Sequence, residues 1–286
     1  MLTLRTLPDA DAILQAAENA TQIVIVGASF IGMEVAASLK KDGVTVTVVG
    51  LEEVPFAPSM GEVVGRMLQK EHEANGVQFR LGNSVEKFTG ENGRVTGAQL
   101  KSGETLPADL VIVGVGVRPA TDFLKDSGLQ MQEKEGSVLV DEYLQTSNPD
   151  IYAAGDIARY SANGRAQRIE HWRLAEQHGV IAAHNILGQQ DSLNAHVPFF
   201  WTNQWDAKVA YVGHASGDDT IVIRGQPEEQ SFIAFYLKDG QLAAAAGSKH
   251  GAEMCAIEFI LRDKMPLTPE QMRDEGFDLV SYATGI

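Results

Sequence analysis

Apolar residues fall along this chain in two rhythms, short β-branched runs and longer stretches at helical spacing, and their order predicts most of its elements. Residues 2–7 read as an extended arm feeding a helix that begins near Asp9, with Pro8 and Asp9 in helix-initiating positions. Ile23 to Val26 is a short apolar run bounded by Gly27, as in a buried parallel strand. Ile31, Val35, Ala36 and Leu39 then recur at helical spacing until Asp42-Gly43 ends the helix. Residues 44–49 form a second β-branched strand, which completes a βαβ unit. Val64, Met67, Leu68 and His72 predict a helix over 61–74, broken by Asn75-Gly76 before a strand at 77–81. Residues 84–88 and 95–100 flank a turn as a hairpin, 101–104 turn into a further short strand, and 110–115 are wholly apolar. A first domain therefore closes near residue 117 as a parallel sheet interrupted by a β-meander.

Beyond it the pattern predicts a short helix at 121–127, a strand at 137–140, and a strand at 151–156 that runs into Gly155-Asp156. A long helix over 170–187 offers Leu174, Val180, Ile181 and Ile186 to its buried side, and Gly188 stops it. Residues 198–205 are aromatic-rich. Strands at 208–212, 220–224, 231–237 and 241–246, then helices at 252–263 and 268–275, make a final α+β domain from about residue 191.

Composition narrows the function. The formal charge of −15 over 286 residues opposes binding to nucleic acid or an anionic membrane, and suits a protein that meets a basic partner. The single cysteine, Cys255, rules out an internal disulfide, a C-x-x-C pair and any cysteine-rich metal site. No apolar run is long enough to span a membrane, and Met1-Leu-Thr-Leu-Arg5 lacks a signal peptide's apolar region, so a cytoplasmic location is expected.

The candidate chemistry lies in the turn after the first strand. Gly27-Ala-Ser-Phe-Ile-Gly32 is G-x-S-x-x-G, one step from the dinucleotide fingerprint G-x-G-x-x-G. Gly27 would supply the tight turn and Gly32 the close helix–strand contact, while the small Ser29 would still let the backbone approach a pyrophosphate. Free N–H groups at the helix start, across Ser29, Phe30, Ile31 and Gly32, would hold that anion. The alternative is a plain strand-turn-helix with incidental glycines. About 20 residues on, Glu52 and Glu53 follow the second strand, where a carboxylate takes the ribose hydroxyls, and no Arg or Lys stands in that loop to hold a 2′-phosphate. This favours NAD(H) over NADP(H), although a solvated glutamate pair would look the same. Asp156 at a strand's carboxyl end suits a polyol or ribose, and equally an ordinary Gly-Asp turn.

Taken together, residues 4–11, Gly27 to Leu39, Gly114-Val-Gly-Val-Arg-Pro119, Ile151-Tyr-Ala-Ala-Gly-Asp-Ile-Ala158, the helix that carries Trp172 and Phe200-Trp-Thr-Asn-Gln-Trp205 resemble, in this order, the FAD- and pyridine-nucleotide-dependent oxidoreductases of the ferredoxin-reductase and apoptosis-inducing-factor-like branch. The resemblance implies an α/β protein with a Rossmann-like NAD(P)-binding domain at 21–117, a linker at 1–20, the returning half of an FAD-binding domain at 118–190, and a C-terminal α+β domain at 191–286 that covers the flavin. It further implies that Gly116 lines the dinucleotide site, that Glu34 faces the nicotinamide carboxamide, that Asp156 bonds the ribityl–pyrophosphate region of FAD, and that Trp172 and Trp201 lie near the flavin or nicotinamide rings. Against these roles, Glu34 reads as a first-turn charge favoured by the helix dipole and the tryptophans as core.

The implied reaction is hydride transfer from NAD(P)H to FAD, then electron delivery to an iron–sulfur protein, a ferredoxin or a Rieske-type acceptor. Nothing before Leu4 supplies the strand–G-x-G-x-x-G–helix that such enzymes use for the FAD pyrophosphate. The expectation is therefore a piece of a longer reductase, or a protein without the leading flavin half whose exposed apolar surface takes a partner or a second copy as a homodimer. A redox-inactive NAD-binding module is the alternative from another class.

Overall fold

The computed structural model describes residues 1–162, 165–215 and 219–285. α1 (Leu7–Ala17) starts two residues before Asp9 because Thr6 caps it, and the Asp9 carboxylate closes the capping box by accepting from the Thr6 N–H at 2.8 Å. β1 (Gln22–Val26), α2 (Phe30–Leu39) and β2 (Thr45–Val49) form the expected βαβ unit. α3 (Ala57–Ala74) begins four residues earlier than the periodicity suggests, since its first turn is set off by a kink at Gly61 (φ 74°, ψ 168°) that breaks the helical spacing. β3 (Val77–Arg80) follows, then the meander β4 (Val85–Glu91), β5 (Arg94–Leu100) and β6 (Thr105–Pro107), and the returning strand β7 (Leu110–Val113).

The parallel sheet has the order β3-β2-β1-β7, so the winding direction reverses between β1 and β7. Its strands are buried on both faces. Ile23 and Ile25 face the helices, whereas Val24 and Val111 pack with Ala98, Leu100 and Leu106 of the meander.

The middle of the chain holds a small sheet of β8 (Val138–Leu139), β9 (Ala158–Ala162) and β10 (Arg165–Gln167), and α4 (Trp172–Ile186). Residues 121–127 contain only a 3-10 turn at Asp122–Leu124. Residues 151–156 are not a strand: Tyr152 makes one isolated bridge to Gln145, and Gly155–Ile157 is a 3-10 turn. The segment bonds to the turn at Asp141 to Leu144 through Ala153 N–H, and one short partner does not make a ladder. On α4 the buried side is Leu174, His178, Ile181 and Asn185; Val180 and Ile186, expected inside, are exposed. His178 and Asn185 take those inward positions because each finds a hydrogen-bond partner there.

The last part is a five-stranded antiparallel sheet in the order β11-β12-β15-β14-β13. It comprises β11 (Phe199–Gln204), β12 (Ala207–Gly213), β13 (Thr220–Gln226), β14 (Ser231–Lys238) and β15 (Gln241–Ser248). α5 (Gly251–Arg262), α6 (Pro269–Arg273) and α7 (Leu279–Thr284) cover one face. β11 and α7 are additions to the elements read from the sequence. β14 is buried on both sides: Ile233, Phe235 and Leu237 meet the helices, while Phe232, Ala234 and Tyr236 join the core that contains Phe56, Met60, Val64 and Leu68. Tyr236 Oη donates to the Met60 carbonyl at 2.5 Å and Gln230 Nε2 to Glu71 Oε2 at 2.6 Å, so the sheet is bonded to α3 as well as packed on it. Among the described residues no helix is long and apolar enough to cross a membrane.

Candidate dinucleotide and flavin site

In an open parallel sheet the ligand crevice lies beyond the strand carboxyl ends where the winding reverses, here the ends of β1 and β7. Gly27 ends β1 at φ 117°, and a Cβ there would lie 2.3 Å from the Gly114 carbonyl oxygen. Gly32 sits in the first turn of α2, where a Cβ would meet the Gly27 carbonyl oxygen at 2.0 Å. Both positions therefore demand glycine, as the fingerprint requires. Ser29 is the N-cap of α2, is exposed, and makes no side-chain capping bond, so the helix start is left open toward the crevice. The Phe30 ring turns inward, edge-on to Phe56 (5.0 Å) and Phe200 (5.7 Å), and the Ile31 side chain lies over Gly114. Gly116 has φ 102° with open space where a Cβ would stand.

Glu52 lies in the loop three residues past β2, its carboxylate beside Gly50, which in turn packs on Ala28 of the turn. Glu53 instead reaches Gly82. Of the pair, Glu52 is thus the one beside the crevice. Arg80, at the end of β3, is engaged by Glu104 at 2.8 Å. These residues fit a dinucleotide: two forced glycines, an open helix start and a carboxylate in the loop after the second strand.

Glu34 begins the second turn of α2, so the first-turn reading of its charge does not hold. Its Oε1 accepts from Thr202 Oγ1 of β11 at 2.5 Å. The neighbouring Trp201 stands edge-on to Trp172 at 5.7 Å, and Trp172 is 63% exposed, so it is not core.

A second cluster forms at the start of α4. His171 caps the helix, its Nδ1 accepting from Arg173 N–H at 3.2 Å, and its ring contacts Trp172 (5.7 Å), Trp201 (5.5 Å) and Phe200 (5.6 Å). Burial pushes the imidazole below its usual pKa, helped by Arg173 and opposed by the nearby Asp156 carboxylate. Asp156 is on the 3-10 turn packed against α4, where Gly155 N–H donates to His178 Nδ1 at 3.2 Å and Arg168 donates to the Asp156 carbonyl at 3.1 Å. The structure thus gathers Asp156, Trp172 and Trp201 around His171, and Phe200 joins this group to Phe30 at the dinucleotide turn. An exposed indole pair beside a carboxylate suits a planar ring with a polyol tail. His171 and Thr202 were not singled out by sequence reasoning. The signal for Thr202 was the alternation Phe200-Thr202-Gln204, one side of a strand.

Residues 1–179 match the model of the family described as pyridine nucleotide-disulphide oxidoreductase, and residues 199–283 that of the reductase C-terminal domain. The chain belongs to the pyridine nucleotide-disulphide oxidoreductase family. Members of this oxidoreductase family use FAD and NAD(P)H. Human apoptosis-inducing factor 3 is 38% identical to the chain over 264 residues, which are 91% of this chain and 43% of that protein. The chain thus spans less than half of that relative's length. A ferredoxin reductase from Rhodopseudomonas palustris superposes with a TM-score of 0.92 at 34% identity, covering 99% of this chain and 69% of the other. The reductase chain of a covalent putidaredoxin reductase–putidaredoxin complex does so with 0.90 at 30% identity, covering 99% and 68%. The chain has one cysteine and so carries no Cys pair.

Proposed function

We propose that the chain is the pyridine-nucleotide half of a ferredoxin-reductase-like flavoprotein. In this reading residues 21–117 bind NAD(H), or less well NADP(H); residues 1–20 and 118–190 are the linker and returning half of an FAD domain; and residues 191–286 cover the flavin. The pyrophosphate lies on the open start of α2 against Ser29, Phe30, Ile31 and Gly32, with Gly27 and Gly116 allowing close approach. Glu52 takes the adenosine ribose hydroxyls, and its charge disfavours a 2′-phosphate. Glu34 accepts from the nicotinamide carboxamide. Asp156 bonds the flavin's polyol and pyrophosphate region, while Trp172 and Trp201 shield the reacting rings from water.

FAD, when bound, supplies the hydride acceptor and passes electrons on singly, so no side-chain nucleophile is needed. The electron acceptor is an iron–sulfur protein, either a ferredoxin, which is in keeping with the name of a reductase that superposes on the chain, or a Rieske-type protein. The observation that carries this reading is the pair of forced glycines, Gly27 and Gly32, at the switch point of the sheet. Titration of the purified chain with NADH and NADPH, together with its visible flavin spectrum, tests it. Binding of NADH with weaker NADPH is the expected result, and absence of binding to either removes the assignment.

A further inference from the structure

A chain of hydrogen bonds runs from α3 through β11 to α2. His72 and Gln204 are both 0% exposed, and their contact joins His72 Nε2 to Gln204 Oε1 at 2.8 Å. Gln204 Nε2 donates to Thr202 Oγ1 at 2.9 Å, and Thr202 Oγ1 donates to Glu34 Oε1. The amide fixes the direction: because Gln204 Nε2 donates to Thr202, its Oε1 accepts, and the His72 proton must be on Nε2. Burial holds His72 below its usual pKa, against the hydrogen bond it donates to Gln204 Oε1, which agrees with a neutral ring.

Every donor in this chain points toward one half-buried carboxylate at the ligand crevice. His72 and Gln204 otherwise sit among Phe79, Trp205 and the apolar core, where nonpolar side chains would fill the same space without a desolvation cost. The β-branched Thr202 has restricted χ1 freedom; its hydroxyl accepts from Gln204 Nε2 through one lone pair, and its single proton goes to the Glu34 carboxylate, which can only accept.

We propose that Thr202, Gln204 and His72 are positioning residues for the nicotinamide end of the dinucleotide. They hold Glu34 with Oε1 engaged and Oε2 free to accept from the carboxamide, and they tie that geometry to the seating of the C-terminal sheet on α3. The proposal rests on the role of Glu34 given above.

The test is calorimetric titration of the purified chain with two probes, NADH and ADP-ribose, which lacks the nicotinamide. Thr202→Val is expected to weaken NADH binding about tenfold, the size of one hydrogen bond to a charged group, and to leave ADP-ribose unchanged. Thr202→Ser restores NADH affinity to within about twofold. His72→Phe, remote from the crevice, gives the same selective loss at smaller size. If Glu34→Ala weakens NADH while Thr202→Val and His72→Phe leave it unchanged, the positioning role is overturned and the Glu34 assignment stands. If Glu34→Ala leaves NADH unchanged, both fall. Equal losses for NADH and ADP-ribose in Thr202→Val mark a merely structural effect and also overturn the proposal.

Discussion

Gly27 and Gly114 approach so closely that a Cβ on the first would stand 2.3 Å from the carbonyl oxygen of the second. The ends of β1 and β7 meet there, so the crevice floor is made of backbone alone. Gly27→Val is expected to abolish NADH binding, because the side chain would force the two strand ends apart and its φ of 117° is closed to valine. A folded variant with wild-type NADH affinity would contradict the fingerprint assignment; circular dichroism checks the fold and titration the affinity.

Acid weakens the fold through His178. Its ring is 1% exposed, and burial pushes its pKa down to about 4. In the unfolded chain the same group titrates near its ordinary value of about 6.5, so between about pH 6.5 and pH 4 the unfolded state binds the extra proton. Stability is therefore full above about pH 6.5 and falls by roughly 3 kcal/mol toward pH 4. His72 acts with the same sign. His178→Asn, whose oxygen can accept from Gly155 without titrating, should flatten the profile of urea midpoint against pH in this window. An unchanged slope would remove His178 as the cause.

Two arginines converge on Glu135 behind the Asp156 turn. Arg159 meets it at 2.6 Å and Arg168 at 3.3 Å, Ser137 Oγ donates to it at 2.5 Å, and Arg168 also holds the Asp156 carbonyl. Although burial opposes it, these partners hold the Glu135 carboxyl below its usual range. Glu135→Ala leaves both cations without their shared anion and should cost about 2 kcal/mol in denaturant unfolding. Glu135→Gln, which keeps the shape, should cost less; equal stability of all three proteins would show the cluster to be slack.

Asp156→Ala is expected to reduce FAD retention without loss of NADH affinity, since it stands with the α4 cluster and not at the β1 turn. Visible flavin absorbance after gel filtration, against NADH titration of the same sample, reads the two separately. Equal flavin retention in both proteins would remove the role given to Asp156.

What could be read from the sequence was local. The run Ile23 to Val26, the spacing of Gly27 and Gly32, and the β-branched strand after Gly43 each state their conformation within a few residues, and the structure keeps them all. β11 was hidden because its inward side chains, Thr202 and Gln204, are polar, and their partners Glu34 and His72 lie 168 and 132 residues away. The face of α4 was misjudged for the same reason: Val180 and Ile186 are apolar, yet His178 and Asn185 own the inner positions through bonds to Gly155 and Tyr143. Buried polar residues with distant partners break hydrophobic periodicity; here Thr202 and Gln204 mark where the C-terminal sheet touches α2 and α3, while His178 and Asn185 tie α4 to its own segment.

Phe232, Ala234 and Tyr236 of β14 share one apolar core with Met60, Val64 and Leu68 of α3. Two stretches that match separate family models therefore share one continuous apolar core. A C-terminal module transplanted from a relative would meet that core at α3, so its sheet face and the α3 side chains have to be exchanged together to keep the seam packed.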